Sequence, residues 1–304
     1  MTGRSRARLV AVAGQIIIAI AAVGAAVAAR RHYDEVGDVI GEAAPLMLVA
    51  ATAAAVASVG LLALPWRSSL RAVDADQPLG DVARWFAVGQ VGKYVPGGIW
   101  HVVGQGELAR RAGVPARLAY GSVALSNVGI VACGAAFVAL GGLAGWIEGT
   151  PWWVAAAGTA ALVAIALPPV RRRAGSALNI GDTASLSLVA VLRVAAAALP
   201  AWTAIGLTTW LVAGSFEIGL SPATAIAAAS ASWLAGILTL PAPGGLGVRE
   251  AAFVALVGSQ VGIPAATVVA VSAMTSVTGP AATLGSSRNE WSASGIAPPA
   301  IAAN

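Results

Sequence analysis

The sequence predicts an all-α integral membrane protein, with about six transmembrane helices and two re-entrant helical hairpins in an inverted-topology repeat. Three observations carry that expectation. Of 304 residues, 58% are hydrophobic and 10% charged, against about 25% charge in a soluble domain, which leaves too little polar surface for a body in water. Apolar runs of about 17–25 residues, the length that crosses hydrocarbon, alternate with short arginine clusters. Finally, an unusual motif occurs twice. Residues 91–115 read VGKYVPGGIWHVVGQGELARRAGVP, and residues 238–264 read LTLPAPGGLGVREAAFVALVGSQVGIP. Pro96 and Pro243 lie 147 positions apart, and Pro115 and Pro264 lie 149 apart.

The elements follow in order. Residues 1–8 carry Arg4, Arg6 and Arg8 and form a short N-terminus before the first span, 9–29. Ala26-Val27-Ala28 imitates a signal-peptide cleavage site, but the apolar run exceeds the ~7–15 residues of a signal core, so an uncleaved helix is expected. A second span covers 44–66 and ends in Trp66, read as an interface anchor. A third runs from about 117 to 141, with Trp146 beyond it. A fourth covers 152–168, from Trp152-Trp153 to Pro168-Pro169. The fifth, 186–213, is long enough to tilt or kink, with Pro200 as the kink site. The last is 264–284, before a Ser-, Ala- and Pro-rich tail over 286–304.

Orientation follows from the loops. Of 18 basic residues, 17 are arginine, and they cluster between spans, as the positive-inside rule expects, rather than in the aromatic-interleaved stripe of a nucleic-acid binder. Arg4, Arg6 and Arg8, Arg67 and Arg71, Arg110, Arg111 and Arg117, Arg171-Arg172-Arg173 and Arg288 are assigned to the cytoplasm. Loops 142–151 and 214–221 carry no basic residue and are assigned outside. Both termini are therefore expected in the cytoplasm of a multi-pass cell-membrane protein.

This topology holds only if segments 80–113 and 222–262 each return to the side they entered from. The first contains Arg84, Lys93, His101 and Glu107, too polar for a lipid-facing span. The second is cut by Pro241-Ala242-Pro243-Gly244-Gly245. Proline removes a backbone donor and glycine permits reversal, so each segment reads as helix, turn, helix. Such backbone is tolerated at depth only against protein or a water-filled cavity. The chain then divides into a first repeat, 9–146, and a second, 152–285, inverted because the first has three crossings. The competing topology has 222–240 crossing fully, with both motifs on the cytoplasmic side. Broken segments at matching positions of two halves mark a transporter's binding site.

Candidate site residues cluster at these breaks. Arg249 and Glu250 follow the second turn, Lys93 and Glu107 flank the first, and Gly97, Gly98, Gly244 and Gly245 open the turns themselves. A guanidinium at the bilayer centre costs at least ~2.5–3.5 kcal/mol, so it persists beside an anionic ligand or a fixed partner. Arginine matches phosphate with a bidentate fork, and a helix start after each Pro-Gly-Gly adds a positive dipole end. The bland readings compete: Arg249 and Glu250 as a lock between helices, Lys93, Arg84 and Arg193 as snorkelling anchors, and Tyr94 and Trp100 as packing. His101 has no companion at metal-ligand spacing, so no metal is assigned. Gly104-Gln105-Gly106 imitates a dinucleotide turn, but no strand precedes it. Catalytic residues and cofactors are not assigned either, nor is a nucleic-acid partner. Cys133 is read as a buried hydrophobe.

PAPGGLGVREAA resembles the LPGGLGVREA signature of the lysylphosphatidylglycerol synthase transmembrane-region family, also described as flippase-like. GKYVPGGIWH looks like that family's first Gly-Lys/Arg-Tyr-Pro-Gly motif. The resemblance covers roughly 9–285. It implies the lipid-translocating or lipid-handling membrane half of the bifunctional members. The soluble aminoacyl-transferring domain does not follow in this sequence, so aminoacylation is not implied. The expected ligand is a membrane lipid headgroup: an anionic or aminoacylated phospholipid, or a lipid-linked carrier. A membrane enzyme with Glu250 or Glu107 as base, and an accessory subunit of a separate glycosyltransferase or synthase, are the alternatives.

Overall fold

The computed structural model describes residues 44–90, 92, 100–147, 152–177, 187–238 and 248–261. The expected spans 9–29 and 264–284, the tail and both Pro-Gly-Gly turns lie outside these residues. Every regular element among them is helical. In order they are α1 (Pro45–Leu61), α2 (Ala63–Ala72), α3 (Leu79–Gln90), α4 (Trp100–Arg111), α5 (Ala116–Leu143), α6 (Trp152–Ala166), α7 (Pro168–Ala177), α8 (Leu188–Ser215), α9 (Pro222–Leu238) and α10 (Val248–Val261).

Three elements are long and apolar enough to cross a membrane: Pro45–Ala72, Ala116–Leu143 and Leu188–Ser215, each of 28 residues. At 1.5 Å per residue each is about 42 Å long. The first is interrupted at Leu62, because Pro65 cannot donate to the Leu61 carbonyl. In contrast, α8 runs through Pro200 as one helix. The shorter α6 ends where Pro168 starts α7, a position that suits proline.

Helices α5 and α8 form the spine. They run parallel: Gly129 of α5 faces Val194 and Gly134 faces Trp202. Close approach through glycine is how helices pack where lipid removes the hydrophobic drive for association. The α1–α2 span lies antiparallel to α8. The Ala44 amide donates to the Ser215 carbonyl at 3.0 Å, while Val73, at the other end, packs with Val191 and Val194. Helix α6 is antiparallel to α5, with Gly142 beside Ala155 and Gly158 against the Ala135 and Ala139 backbone.

This arrangement sorts the charges. The ends of α2 and α4 and the starts of α3, α5 and α8 share one face, with Arg67, Arg71, Arg84, Arg110, Arg111, Arg117 and Arg193 at or near it. The opposite face joins the starts of α1, α6 and α9 to the ends of α5 and α8. It carries no arginine among the described residues, and Trp152 and Trp153 there are 81% and 59% exposed. Trp66 corrects the sequence reading. It is 1% exposed, donates Nε1–H to Ser122 Oγ at 3.0 Å and meets Trp85 edge-on. It joins α2, α3 and α5 in the interior and is not an interface anchor.

Helix ends are closed by six-to-one hydrogen bonds of the Schellman type, which put the residue after the cap in the left-handed region. Gly113 (φ 95°) closes α4 and Gly145 (φ 67°) closes α5, with Val114 N bonded to Ala109 O and Trp146 N to Gly141 O. At the ends of α2 and α8 the same position is held by Asp74 (φ 56°) and Glu217 (φ 60°), with Ala75 N on Leu70 O and Ile218 N on Ala213 O.

Candidate functional site

The helices flanking the first motif form an antiparallel pair. Gly92 lies against Trp100 and His101, and Gly89 against Gln105. Absent side chains on α3 and Gly104 on α4 bring the two backbones together. The pair docks on α5 through Gly106, where a Cβ would overlap the Tyr120 ring, and through Ala109, buried with Val114, Ala119 and Val123. Because the Gly113 cap joins α4 directly to α5, α4 runs back along α5 from its N-terminal end.

Glu107 lies on the outer half of α4. Its Oε2 accepts from Arg110 Nε at 2.7 Å, and its Oε1 from Arg110 Nη2 at 2.8 Å and Arg111 Nε at 3.0 Å. The hydrogen bonds from Arg110 and then Arg111 hold its carboxyl down to about 2. The i,i+3 and i,i+4 spacing makes these contacts local to one helix.

Helices flanking the second motif also pair, with Phe253 and Val257 of α10 buried among Ala225, Ala227 and Ala228 of α9. Ser221 caps α9 by accepting from Thr224 N at 3.1 Å, and Pro222 fills the first helical position. Thr224 Oγ1 donates to the Trp146 carbonyl at 2.6 Å, and Ala227 packs on Gly141. This fixes α9 antiparallel to α5, starting from the end opposite the first pair. Deeper in, Trp202 of α8 donates Nε1–H to the Ile130 carbonyl of α5 at 3.0 Å. It also meets Trp233 of α9 edge-on at 5.2 Å.

Arg249 and Glu250 occupy the first turn of α10, both half-buried, and Arg249 Nε is shielded from solvent. Neighbours on a helix point about 100° apart, so the two side chains face different surroundings. A carboxylate in a helix's first turn complements the positive dipole end. Of the other candidates, Lys93, Gly97, Gly98, Gly244 and Gly245 lie outside the described residues. Glu107 belongs to the arginine-bearing face and Arg249 to the inner end of the second pair, so the structure does not bring these two together. Among the described residues there is no cluster of three His, Cys, Asp or Glu able to hold a metal ion.

A family model described as the lysylphosphatidylglycerol synthase TM region matches residues 12–279. The chain belongs to the lysylphosphatidylglycerol synthase transmembrane-region family. The match spans both motifs and all ten described helices. Among curated proteins, none matches the chain. Membership makes this a membrane protein of a lipid-handling family. Sequence reasoning overlooked Gln105 of α4 as a polar candidate. It is 3% exposed, and its only signal was a glutamine held between two glycines.

Proposed function

We propose that this protein is a lipid translocator of flippase type, carrying an anionic or aminoacylated phospholipid or a lipid-linked carrier across the cell membrane. The observation that carries the reading is the docking of both motif-bearing helix pairs on α5 from opposite ends. Helix α4 has 12 residues and α9 has 17, so they reach about 18 and 25 Å along a helix of about 42 Å. The inner ends of α4 and α9 thereby approach one depth near the middle of the span, which supports a reading as opposed re-entrant hairpins around a midplane site.

Spacing and direction support an inverted duplication. Pro45 and Leu188, Asp74 and Glu217, and Leu79 and Pro222 are each 143 positions apart. Each pair holds the same station: a helix start, a left-handed acidic residue closing that helix, and the start of the next. The corresponding spans α1–α2 and α8 run antiparallel, as an in-plane twofold requires. The positive-inside rule assigns the arginine-bearing face to the cytoplasm.

The headgroup site takes Arg249 as its centre with Glu250 beside it in sequence, and Lys93, Gly97, Gly98, Gly244 and Gly245 are assigned to it from the two motifs alone. Glu107 with its two arginines stands at the cytoplasmic approach. A carboxylate held near 2 is a poor general base at neutral pH, which favours translocation over group transfer at Glu107.

The test is Arg249→Lys and Glu250→Gln in proteoliposomes, read by the protection of fluorescent phosphatidylglycerol from an impermeant quencher. Translocation should fall about tenfold or more in Arg249→Lys, because an ammonium lacks the bidentate fork, with the melting temperature in detergent unchanged. Glu250→Gln should slow it as well. Well-folded Arg249→Lys protein with wild-type translocation removes Arg249 from the site, and wild-type protein no faster than empty liposomes overturns the translocator reading.

A further inference from the structure

Gln105 is buried inside the first helix pair, 3% exposed, and its Nε2 makes no hydrogen bond among the described residues. A buried donor left unmade carries the full desolvation penalty, and folded proteins keep few of them without a water, ion or ligand to answer. A methionine or leucine would fill the same space without that penalty. The carboxamide is held there by design of the backbone: a Cβ at Gly89 would fall on Gln105 Cγ, so the missing side chain on α3 is what admits the glutamine. Its position also matters. Helix α4 starts at Trp100, two residues after the Pro-Gly-Gly turn, and Gln105 lies only about 7.5 Å further along the axis. His101, four residues earlier and on the same face of the helix, has its Nδ1 shielded from solvent as well.

We propose that Gln105 donates its amide N–H to an oxygen acceptor, phosphoryl or ester, of a lipid headgroup drawn into the first hairpin. This rests on the headgroup site proposed above and gives it a second, neutral arm. Arg249 supplies charge from the second hairpin. Gln105 supplies direction from the first, since an amide recognises the placing of an oxygen and adds no charge. Gly89 is the positioning residue that keeps the carboxamide in the seam.

Full-length protein in a neutral detergent, titrated with phosphatidylglycerol and separately with inorganic phosphate, provides the test. The rise in melting temperature with ligand concentration yields an apparent affinity. Gln105→Met keeps the length and unbranched shape while deleting the donor. Without ligand, it should melt at or above the wild-type temperature, because a buried polar group with nothing to bond has been removed. Its apparent affinity for phosphatidylglycerol should fall about tenfold or more, the loss expected for a hydrogen bond to a charged acceptor. A parallel loss with inorganic phosphate assigns the bond to the phosphoryl oxygens; a loss confined to the lipid assigns it to the ester region. If Gln105→Met binds phosphatidylglycerol as the wild type does, the proposal fails while the headgroup site stands. A wild type that gains no stability from phosphatidylglycerol removes both. Failure of Gln105→Met to fold would show that the fold itself needs the carboxamide, and that too overturns the assignment.

Discussion

Replacing Trp202 with phenylalanine should loosen α9 from the spine while leaving the rest of the bundle in place. The indole is 1% exposed, and its Nε1–H reaches the Ile130 carbonyl at 3.0 Å. That carbonyl retains a second lone pair for its own helix, so losing the indole strands no acceptor. The bond then counts about 0.6–1 kcal/mol in a membrane protein. Shrinking the bicyclic ring leaves a gap of roughly 40 Å³, worth about 1 kcal/mol at 24 cal/mol per Å³. Weakening the edge-on contact with Trp233 removes about 0.5 kcal/mol or more. The sum is about 2–3 kcal/mol, or roughly 4–12 °C at about 2–4 °C per kcal/mol. A melting curve in detergent measures it. The mechanism has a sharper signature. A Cβ at Gly134 would sit 2.7 Å from Trp202 Cζ2, so Gly134→Ala should destabilise the wild type and be nearly neutral beside Trp202→Phe. Additivity of the two changes within about 0.5 kcal/mol would refute the claim that this indole packs against the glycine.

Two further predictions follow from the helix ends and the charge sorting. Asp74→Gly and Glu217→Gly should each stabilise the protein by about 0.5–1 kcal/mol, because only glycine occupies the left-handed region without a Cβ penalty; lower melting temperatures in both would show that the acidic side chains hold those turns. In a Cys133→Ala background, a cysteine at Glu217 should react with an impermeant maleimide on intact cells, whereas one at Arg172 should react only after permeabilisation; the reverse pattern would invert the proposed orientation.

Much of this architecture is legible in the sequence wherever a long apolar run decides the element. The expected spans 117–141 and 186–213 match α5 and α8 to within two residues at each end, because the apolar runs are long enough to carry the helix, even through Pro200. The helix pairs on either side of the Pro-Gly-Gly motifs were legible for the complementary reason, as proline and glycine leave the backbone few alternatives. Trp66 was misread because a tryptophan beside Arg67 at the end of an apolar run is how an interface belt looks locally. Its true partner, Ser122, lies 56 positions away on α5, and no local pattern reports such a pairing. The engagement of Glu107 lay in plain view, since arginines three and four residues on capture a carboxylate locally. The burial of Gln105 was not, because it depends on the side chain that Gly89 lacks.

The two helix pairs that flank the motifs are fastened differently. Both are pinned at their outer ends by directional bonds: the Gly113 cap joins α4 to α5, and Thr224 holds the start of α9 to the Trp146 carbonyl. Further in, α9 is gripped by the Trp202–Trp233 pair, whose indole is itself bonded to α5. The inner half of α4 instead meets α3 across Gly89, Gly92 and Gly104. Glycine contacts bring the backbones close, and the side chain they admit in that seam is Gln105, seated over Gly89. In a bilayer, where lipid tails are as apolar as leucine, such close packing and polar contacts carry the association. The first pair is therefore held by close backbone approach and one buried carboxamide, the second by an indole that links α5, α8 and α9. Under the proposed translocator reading, Trp202→Phe should slow translocation as it loosens α9, whereas bulk introduced at Gly89 or Gly104 should part α3 from α4.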